Sequence, residues 1–415
     1  MARRRKAKKI AEQGSTWNTP LPSFASTQEE IERAVAGNSI KRGSFIIKNL
    51  VSLNFDGLLQ KVTDLAESTD REDWFENAEN LRIDEEALQI LENLPVAYPY
   101  YFCTPEILME DPVLVMYYRN VAMVSQKVMN GLGLNTSSYE AGVAPSEEIA
   151  QQLSQHFNTI ISGLVKANPI TSRRYLEMAY ANLGESFGGS WRNEVGRLAY
   201  VEILTPLALY LHRRGVLASI MYKLKGRIIP QDEEEMINTR QNYTLNITES
   251  IDLDKKLAQL EEQRVIYREF RLKNGHRLQI DRQITWRDEK SKPYKIGPDL
   301  SSVSEDEEVL FWSGELKGGA DPAGSDEHWK TATRSFDRIL EASAGTNRAK
   351  PKLSFIATIL VERVAREAAM LIAQGKLYSV YNLTQMASDP QKQKQFLEDV
   401  TTFLAYPPES SAEKG

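Results

Sequence analysis

The alternation of periods between residues 265 and 386 constrains this chain most. Two β-rich runs, 265–272 and 277–286, flank Asn274-Gly275, a dipeptide whose ease at positive φ makes it the strongest short hairpin signal. A third run covers 309–317, a helical pattern covers 325–342, and 353–360 reads as a strand again. A helix over 361–374 ends at Gly375, and 378–386 reads as the last strand. A hairpin meander followed by β–α–β closes as a sheet whose parallel strands need helical crossovers. The predicted class is α/β (α+β), a mixed sheet flanked by helices.

The first half lacks that alternation and reads as mostly helical. Ser26 or Thr27, with Glu29 or Glu30 three residues on, is a capping-box signature ahead of Ile31. Residues 44–48 read as a short strand, 55–66 as a helix and 113–130 as a longer helix. Ser146 opens a helix in which Ile149, Leu153, Phe157, Ile160 and Leu164 share one face. Another follows Pro169 and ends near Gly184, and 190–214 is helical up to Gly215, a residue favoured just past helix ends. The aromatic cluster Tyr98-Pro-Tyr-Tyr-Phe102 reads as core packing in preference to base stacking.

At about 150 residues per domain, 415 residues suit two or three domains. The division predicted is a basic flexible arm over 1–20, a mostly helical region over 21–184, and a sheet-bearing core over 185–406. A polar insertion near 225–255 interrupts that core, and 407–415 reads as a disordered tail. Residues 3–9 carry six basic side chains and read either as a phosphate-contacting arm or as a solvated terminus.

Charge and cysteine usage remove several classes. Lys plus Arg number 51 and Asp plus Glu 57, a net charge of −6. That is not the balance of a nucleic-acid coat protein, although a basic cleft can sit in an acidic surface. The single Cys103 excludes an intramolecular disulfide and any zinc site built on several cysteines. His156, His212, His276 and His328 form no H-E-x-x-H pair, which argues against a zinc hydrolase. No apolar segment follows the basic N-terminus, and residues 201–211 fall short of the roughly 18 apolar residues of a membrane span. The expectation is a cytoplasmic protein with no membrane association.

The stretch with chemical content is Ile296-Gly-Pro-Asp299 and, beyond fifteen residues, Glu315-Leu-Lys317. With 309–317 as a strand, Val309, Phe311, Ser313, Glu315 and Lys317 point one way, while Leu310, Trp312 and Leu316 anchor the other side. The polar turn Ser304-Glu-Asp-Glu-Glu308 makes an antiparallel return that can bring Asp299 beside Glu315. Two carboxylates with a lysine suit metal-assisted phosphodiester hydrolysis, since hard oxygens hold Mg²⁺ and the ion polarises a phosphate and acidifies a water. The triplet alone is cheap: Asp254-Lys-Lys256 and Asp288-Glu-Lys290 also occur, both in polar runs.

Pro298-Asp299…Glu315-Leu-Lys317 resembles the catalytic motif of the PD-(D/E)XK nuclease superfamily. The continuation from Gly318 to Ala332 is similar to the segment after that motif in some type II restriction endonucleases. The resemblance covers roughly residues 190–390. It implies a restriction-endonuclease-like sheet and Mg²⁺ held by Asp299, Glu315 and the Leu316 carbonyl. Lys317 would serve the attacking water, and the cut would leave 5′-phosphates. A helical acid upstream of the hairpin often joins the metal in this superfamily, which makes Glu194 or Glu202 a candidate against the reading of a helix-surface carboxylate. The implied function is sequence-specific cleavage of double-stranded DNA by a homodimer, the helical half serving DNA clamping, recognition or dimerisation. The alternatives are a structure-specific repair or recombination nuclease of the same superfamily and a non-catalytic DNA-binding protein.

Further DNA contacts are candidates by charge alone. Ser325 caps the helix after the motif, with Trp329, Ala332, Phe336, Ile339 and Leu340 on its apolar face. Lys330, Arg334 and Arg338 lie elsewhere on it, and His328 reads as structural or exposed. Arg271, Lys273, His276 and Arg277 at the hairpin tip read as groove contacts or as solvated charge.

Overall fold

A computed structural model describes residues 20–68, 72–225 and 241–406. Most of the basic arm, the tail and residues 226–240 of the predicted insertion lie outside the described residues. The described chain forms two compact units, residues 42–192 and residues 20–41 with 193–225 and 241–406. The divisions fall within the helices Gln28–Leu53 and Arg174–Arg213.

The first unit is helical, as expected, around one core that includes Leu88, Tyr98, Tyr101, Phe102, Tyr117, Leu153 and Phe157. The aromatic cluster thus packs inward; Tyr118 and Tyr117 donate to the Pro99 and Tyr100 carbonyls at 2.9 Å each. Ser146 accepts from the Ile149 amide and caps the helix Glu147–Ala167. Its buried face is Leu153, Phe157, Ile161 and Val165, with Ile149, Ile160 and Leu164 flanking it.

Three local readings are corrected here. Residues 44–48 are helical, because Phe45 falls on a buried helix face and packs its ring 5.6 Å from Trp191. The pattern over 113–130 is broken into Leu114–Val121 and Gln126–Gly131. Met123 turns there at φ +56, and buried Arg119 reaches past the break to the Val124 carbonyl while pairing with the covered Glu140 carboxylate at 2.6 Å. Gly184 ends nothing; the helix Arg174–Arg213 runs through it.

The second unit is the predicted mixed sheet. Its strands are β1 (Leu217–Leu224), β2 (Tyr243–Asn246), β3 (Val265–Leu272), β4 (Arg277–Ile280), β5 (Ile284–Arg287), β6 (Pro293–Ile296), β7 (Leu300–Val303), β8 (Leu310–Lys317), β9 (Lys352–Ala357) and β10 (Ser379–Asn382). Eight of them pair in the order β10-β9-β8-β7-β4-β3-β1-β2, and β5 pairs with β6 separately. β8, β9 and β10 are parallel neighbours and the other pairs are antiparallel. One sheet face packs Ile220, Phe270, Leu278, Trp312 and Leu316 with Leu204, Leu207 and Phe396. The other packs Val303, Leu353 and Phe355 beneath Trp329, Phe336 and Ile339 of the helix Ser325–Gly345.

Gly275 turns the β3–β4 hairpin at φ +86, as its dipeptide predicts. The second arm stops at Ile280, and Ile284–Arg287 leaves to pair with β6. Residues 243–246, predicted as insertion, form the edge strand β2. The last predicted strand stops at Asn382, whose side chain caps the helix Leu383–Ser388. The helix after β8 is capped from Gly324, with no side-chain cap, and Ser325 is its first residue.

Candidate active site at the β7–β8 hairpin

Register builds the site. Leu300 pairs with Gly314 and Ser301 with Ser313, so Asp299, one residue ahead of β7, lies level with Glu315. Gly314 is needed between them and the core, because a Cβ there would sit 2.7 Å from the Trp312 ring. The Asp299 backbone is fixed in turn: its carbonyl accepts from the Asp281 amide at 2.9 Å and from the Tyr200 hydroxyl at 3.5 Å.

The three motif side chains converge. Asp299 Oδ2 accepts from the Leu316 amide at 2.7 Å and from Lys317 Nζ at 3.1 Å. Lys317 Nζ also donates to Glu315 Oε2 at 3.2 Å, and Ser335 Oγ donates to Glu315 Oε1 at 2.5 Å. The Glu315 side chain is 4% exposed, against 23% for Asp299 and 18% for Lys317, so the pair presents Asp299 and hides Glu315. A residue's N–H and C=O leave a strand on the same edge. The Leu316 carbonyl therefore faces the Asp299 side, while the Lys317 carbonyl faces β9 and accepts from the Thr358 amide at 3.0 Å.

Charge is unbalanced at this point. Desolvation and then the Asp299 charge push the Glu315 carboxyl up to about 7, against the lowering pull of Lys317 and Ser335. Lys317 loses some basicity to burial, but the two carboxylates more than restore it and its net direction is upward. Two acids sharing one lysine leave room for another positive charge. The donors are hard oxygens of the kind that hold Mg²⁺, so the residues present fit a divalent ion.

The helix Ser325–Gly345 supplies a second side chain. His328 and Ser335 are seven residues, two turns, apart and share a helix face. Desolvation and then the Lys317 charge hold the His328 imidazole below its ordinary value. His328 also packs on the strand's exit, where a Cβ on Gly319 would lie 2.9 Å from its ring. Sequence reading set His328 aside as structural or exposed and did not single out Ser335 or Tyr200. Ser335's place on the helix turn opposite Glu315 was the available signal.

The remaining candidates are placed as follows. Glu194 is buried and committed to Arg264 at 2.6 Å and Arg197 at 2.8 Å, with Lys225 at 3.9 Å. Glu202 lines a recess beyond the end of β8. Neither joins Asp299 and Glu315, and among the described residues no three acidic, His or Cys side chains are grouped to hold an ion. Lys330, Arg334 and Arg338 are exposed, Lys330 loosely paired with Glu327 at 3.9 Å. Arg271 and Lys273 are exposed. Arg277 is turned inward to Glu307 at 3.2 Å and to the Glu305 carbonyl, so the structure removes it from the free cations. The hairpin tip is tied down as well: His276 Nδ1 lies 2.9 Å from the Leu404 carbonyl. The decoy Asp254 opens the helix Leu253–Glu262, and Asp288–Lys290 forms the β5–β6 turn.

A pair of carboxylates and a lysine on adjacent strands of a mixed sheet is what the likeness to PD-(D/E)XK nucleases implies, and comparison with known proteins falls on the same stretch. Residues 298–391 match the family described as restriction endonuclease BsobI. Over 72 residues the chain is 43% identical to the type II restriction enzyme AvaI of Nostoc sp. and to that of Anabaena variabilis, which is 17% of this chain and 22% of each relative. Over 82 residues it is 39% identical to the type II restriction enzyme BsoBI of Geobacillus stearothermophilus, 20% of this chain and 25% of that one. The chain thus matches about a quarter of the length of these relatives. The resemblance to type II restriction endonucleases is borne out, with the family match lying over residues 298–391. Among the described residues no helix is long and apolar enough to cross a membrane.

Proposed function

We propose that this chain is a type II restriction endonuclease, hydrolysing phosphodiester bonds of double-stranded DNA at a specific sequence with Mg²⁺ and leaving 5′-phosphates. The observation that carries the reading is the convergence of Asp299, Glu315 and Lys317 at the β7–β8 hairpin. Asp299, Glu315 and the Leu316 carbonyl would hold the ion. When bound, the ion supplies charge for the phosphate and lowers the pKa of water.

The chain's own groups do the rest. Lys317 positions the attacking water and stabilises charge on the phosphate. Ser335 fixes one Glu315 oxygen and leaves the other to Lys317. Burial and the Lys317 charge oppose protonation of His328, which stands beside the site as a packing group. The helical unit, on this reading, contributes DNA clamping or dimer contacts, and a homodimer would set one such site on each strand of a two-fold sequence.

The test is cleavage of several long duplex DNAs of known sequence, in Mg²⁺ and in EDTA, beside Lys317→Ala. Discrete bands that need the metal and vanish in the variant are the expected result. Cutting only at branches, ends or lesions moves the assignment to a repair or recombination nuclease. Metal-independent binding that Lys317→Ala leaves intact, without cleavage, removes the enzymatic reading.

A further inference from the structure

The recess lined by Glu202, about 370 Å³, lies beyond the C-terminal ends of β8, β9 and β10 of the sheet-bearing unit. Its floor is set by Gly318, Thr358 and Thr384, which follow those three parallel strands. Crevices past the carboxyl ends of parallel strands are where open α/β sheets bind ligands. This one begins one residue after Lys317. Gly318 keeps it in place, since a Cβ there would lie 2.5 Å from the Ala199 Cβ of the helix behind.

One wall is the first part of the helix Gln28–Leu53. Arg33, Gly37 and Lys41 are four residues apart and form one row along it. At 1.5 Å per residue the two cations stand on the order of 12 Å apart. Between them Gly37 leaves open space, with nothing within 4 Å of where a Cβ would be. Among the described residues Arg33 pairs with Glu29, an exposed i,i+4 pair of the kind that exchanges readily for another anion. The acid in the lining is Glu202, an exposed carboxylate across from Lys41.

A cation, a gap and a cation along a rigid helix suit a nucleic-acid strand, whose phosphates recur at a fixed spacing; the separation here exceeds one such step, so the two cations reach phosphates that are not neighbours and the nucleotide between them passes over Gly37. We propose that this recess is the track for the DNA strand adjoining the bond that is cut, with Arg33 and Lys41 each holding a backbone phosphate and Gly37 making room between them. The inference rests on the nuclease reading above and assigns the strand's path.

The experiment measures binding of a short labelled duplex of mixed sequence, in EDTA, across a salt series. Arg33→Ala and Lys41→Ala each lower the slope of log affinity against log salt by about one, and the double variant by about two. Gly37→Leu separates folding from binding. Leucine is the better helix former, so the melting temperature holds or rises while affinity falls about ten-fold as the side chain fills the gap. Unchanged slopes in the double variant, with Gly37→Leu binding like the wild type, overturn the track. So does a melting temperature raised by inorganic phosphate through Arg33 and Lys41 while the DNA slopes stay equal, which makes the recess a free-anion site. A wild-type protein that does not bind duplex DNA at all takes the nuclease reading down first.

Discussion

Glu194 and Glu315 are both buried glutamates of the sheet-bearing unit, and their surroundings treat them in opposite ways. Around Glu194, desolvation pushes the carboxyl up, but Arg197 and Arg264 overcome it and hold the group below its ordinary value. Around Glu315, desolvation is joined by a second acid, and one lysine shared between the two cannot restore the balance. The first arrangement is complete in itself and ties the helix Arg174–Arg213 to the start of β3, where Arg197 also reaches the Val265 carbonyl at 3.2 Å. The second, on the proposed function, is completed by a divalent ion. On that reading, charge balance, more than burial, separates an acid that holds a fold from one that receives a ligand.

That contrast can be broken in steps. Replacing the unbalanced acid, Glu315→Gln, should lower the cleavage rate by about 10²–10³-fold or more while the metal-free protein melts no lower than the wild type, read by single-turnover cleavage and by thermal denaturation. The balanced acid should do the reverse. Glu194→Gln leaves three cations facing a neutral amide, and a loss of about 3–5 kcal/mol in denaturant unfolding is expected of a broken buried network. Retained stability in that variant would mean that the arginines find other partners.

Their pH dependences should have opposite slopes. Glu315 has its folded value raised from 4.5 to about 7, so the folded state keeps its proton while the unfolded state loses it, and metal-free stability falls as pH rises through that window. Glu315→Gln should erase that decline, and Mg²⁺ should reduce it. Glu194 is held below 4.5, so its contribution is present above that value and is lost as pH falls through the folded one. The smallest effect is expected at Ser335→Ala. Loss of one hydrogen bond to Glu315 should reduce metal affinity or cleavage by about ten-fold, measured as the Mg²⁺ concentration at half-maximal rate.

The hairpin, β8 and the convergence of Asp299 with Glu315 and Lys317 were legible because a strand's period of two and a single turn settle them. Gly215 and Gly375 marked helix ends for the same local reason, and both have positive φ. What failed were places where distant partners overrule local pattern. Phe45 belongs to a helix because its ring packs against Trp191. The break after Val121 is organised by Arg119 and Glu140, and Asn182 also donates to the Val124 carbonyl at 3.2 Å. At the site, Ser335 lies 20 residues from Glu315 and Tyr200 lies 99 from Asp299, separations over which no periodicity reaches.

Residues 23–26 have a consequence for how this protein is made. Ser26 donates its amide to the Leu360 carbonyl at 2.9 Å and accepts from the Leu360 amide at 3.0 Å, while Asn382 and Gln385 reach the Phe24 and Ala25 carbonyls at 3.0 Å each. Those partners lie more than 330 residues later, beyond the whole helical unit. A chain emerging from the ribosome at roughly 5–20 residues per second therefore finishes its helical unit long before its first segment can dock. The sheet-bearing unit is the last part to form, so an interrupted translation product carries the two acids without the edge that locks them into a finished sheet.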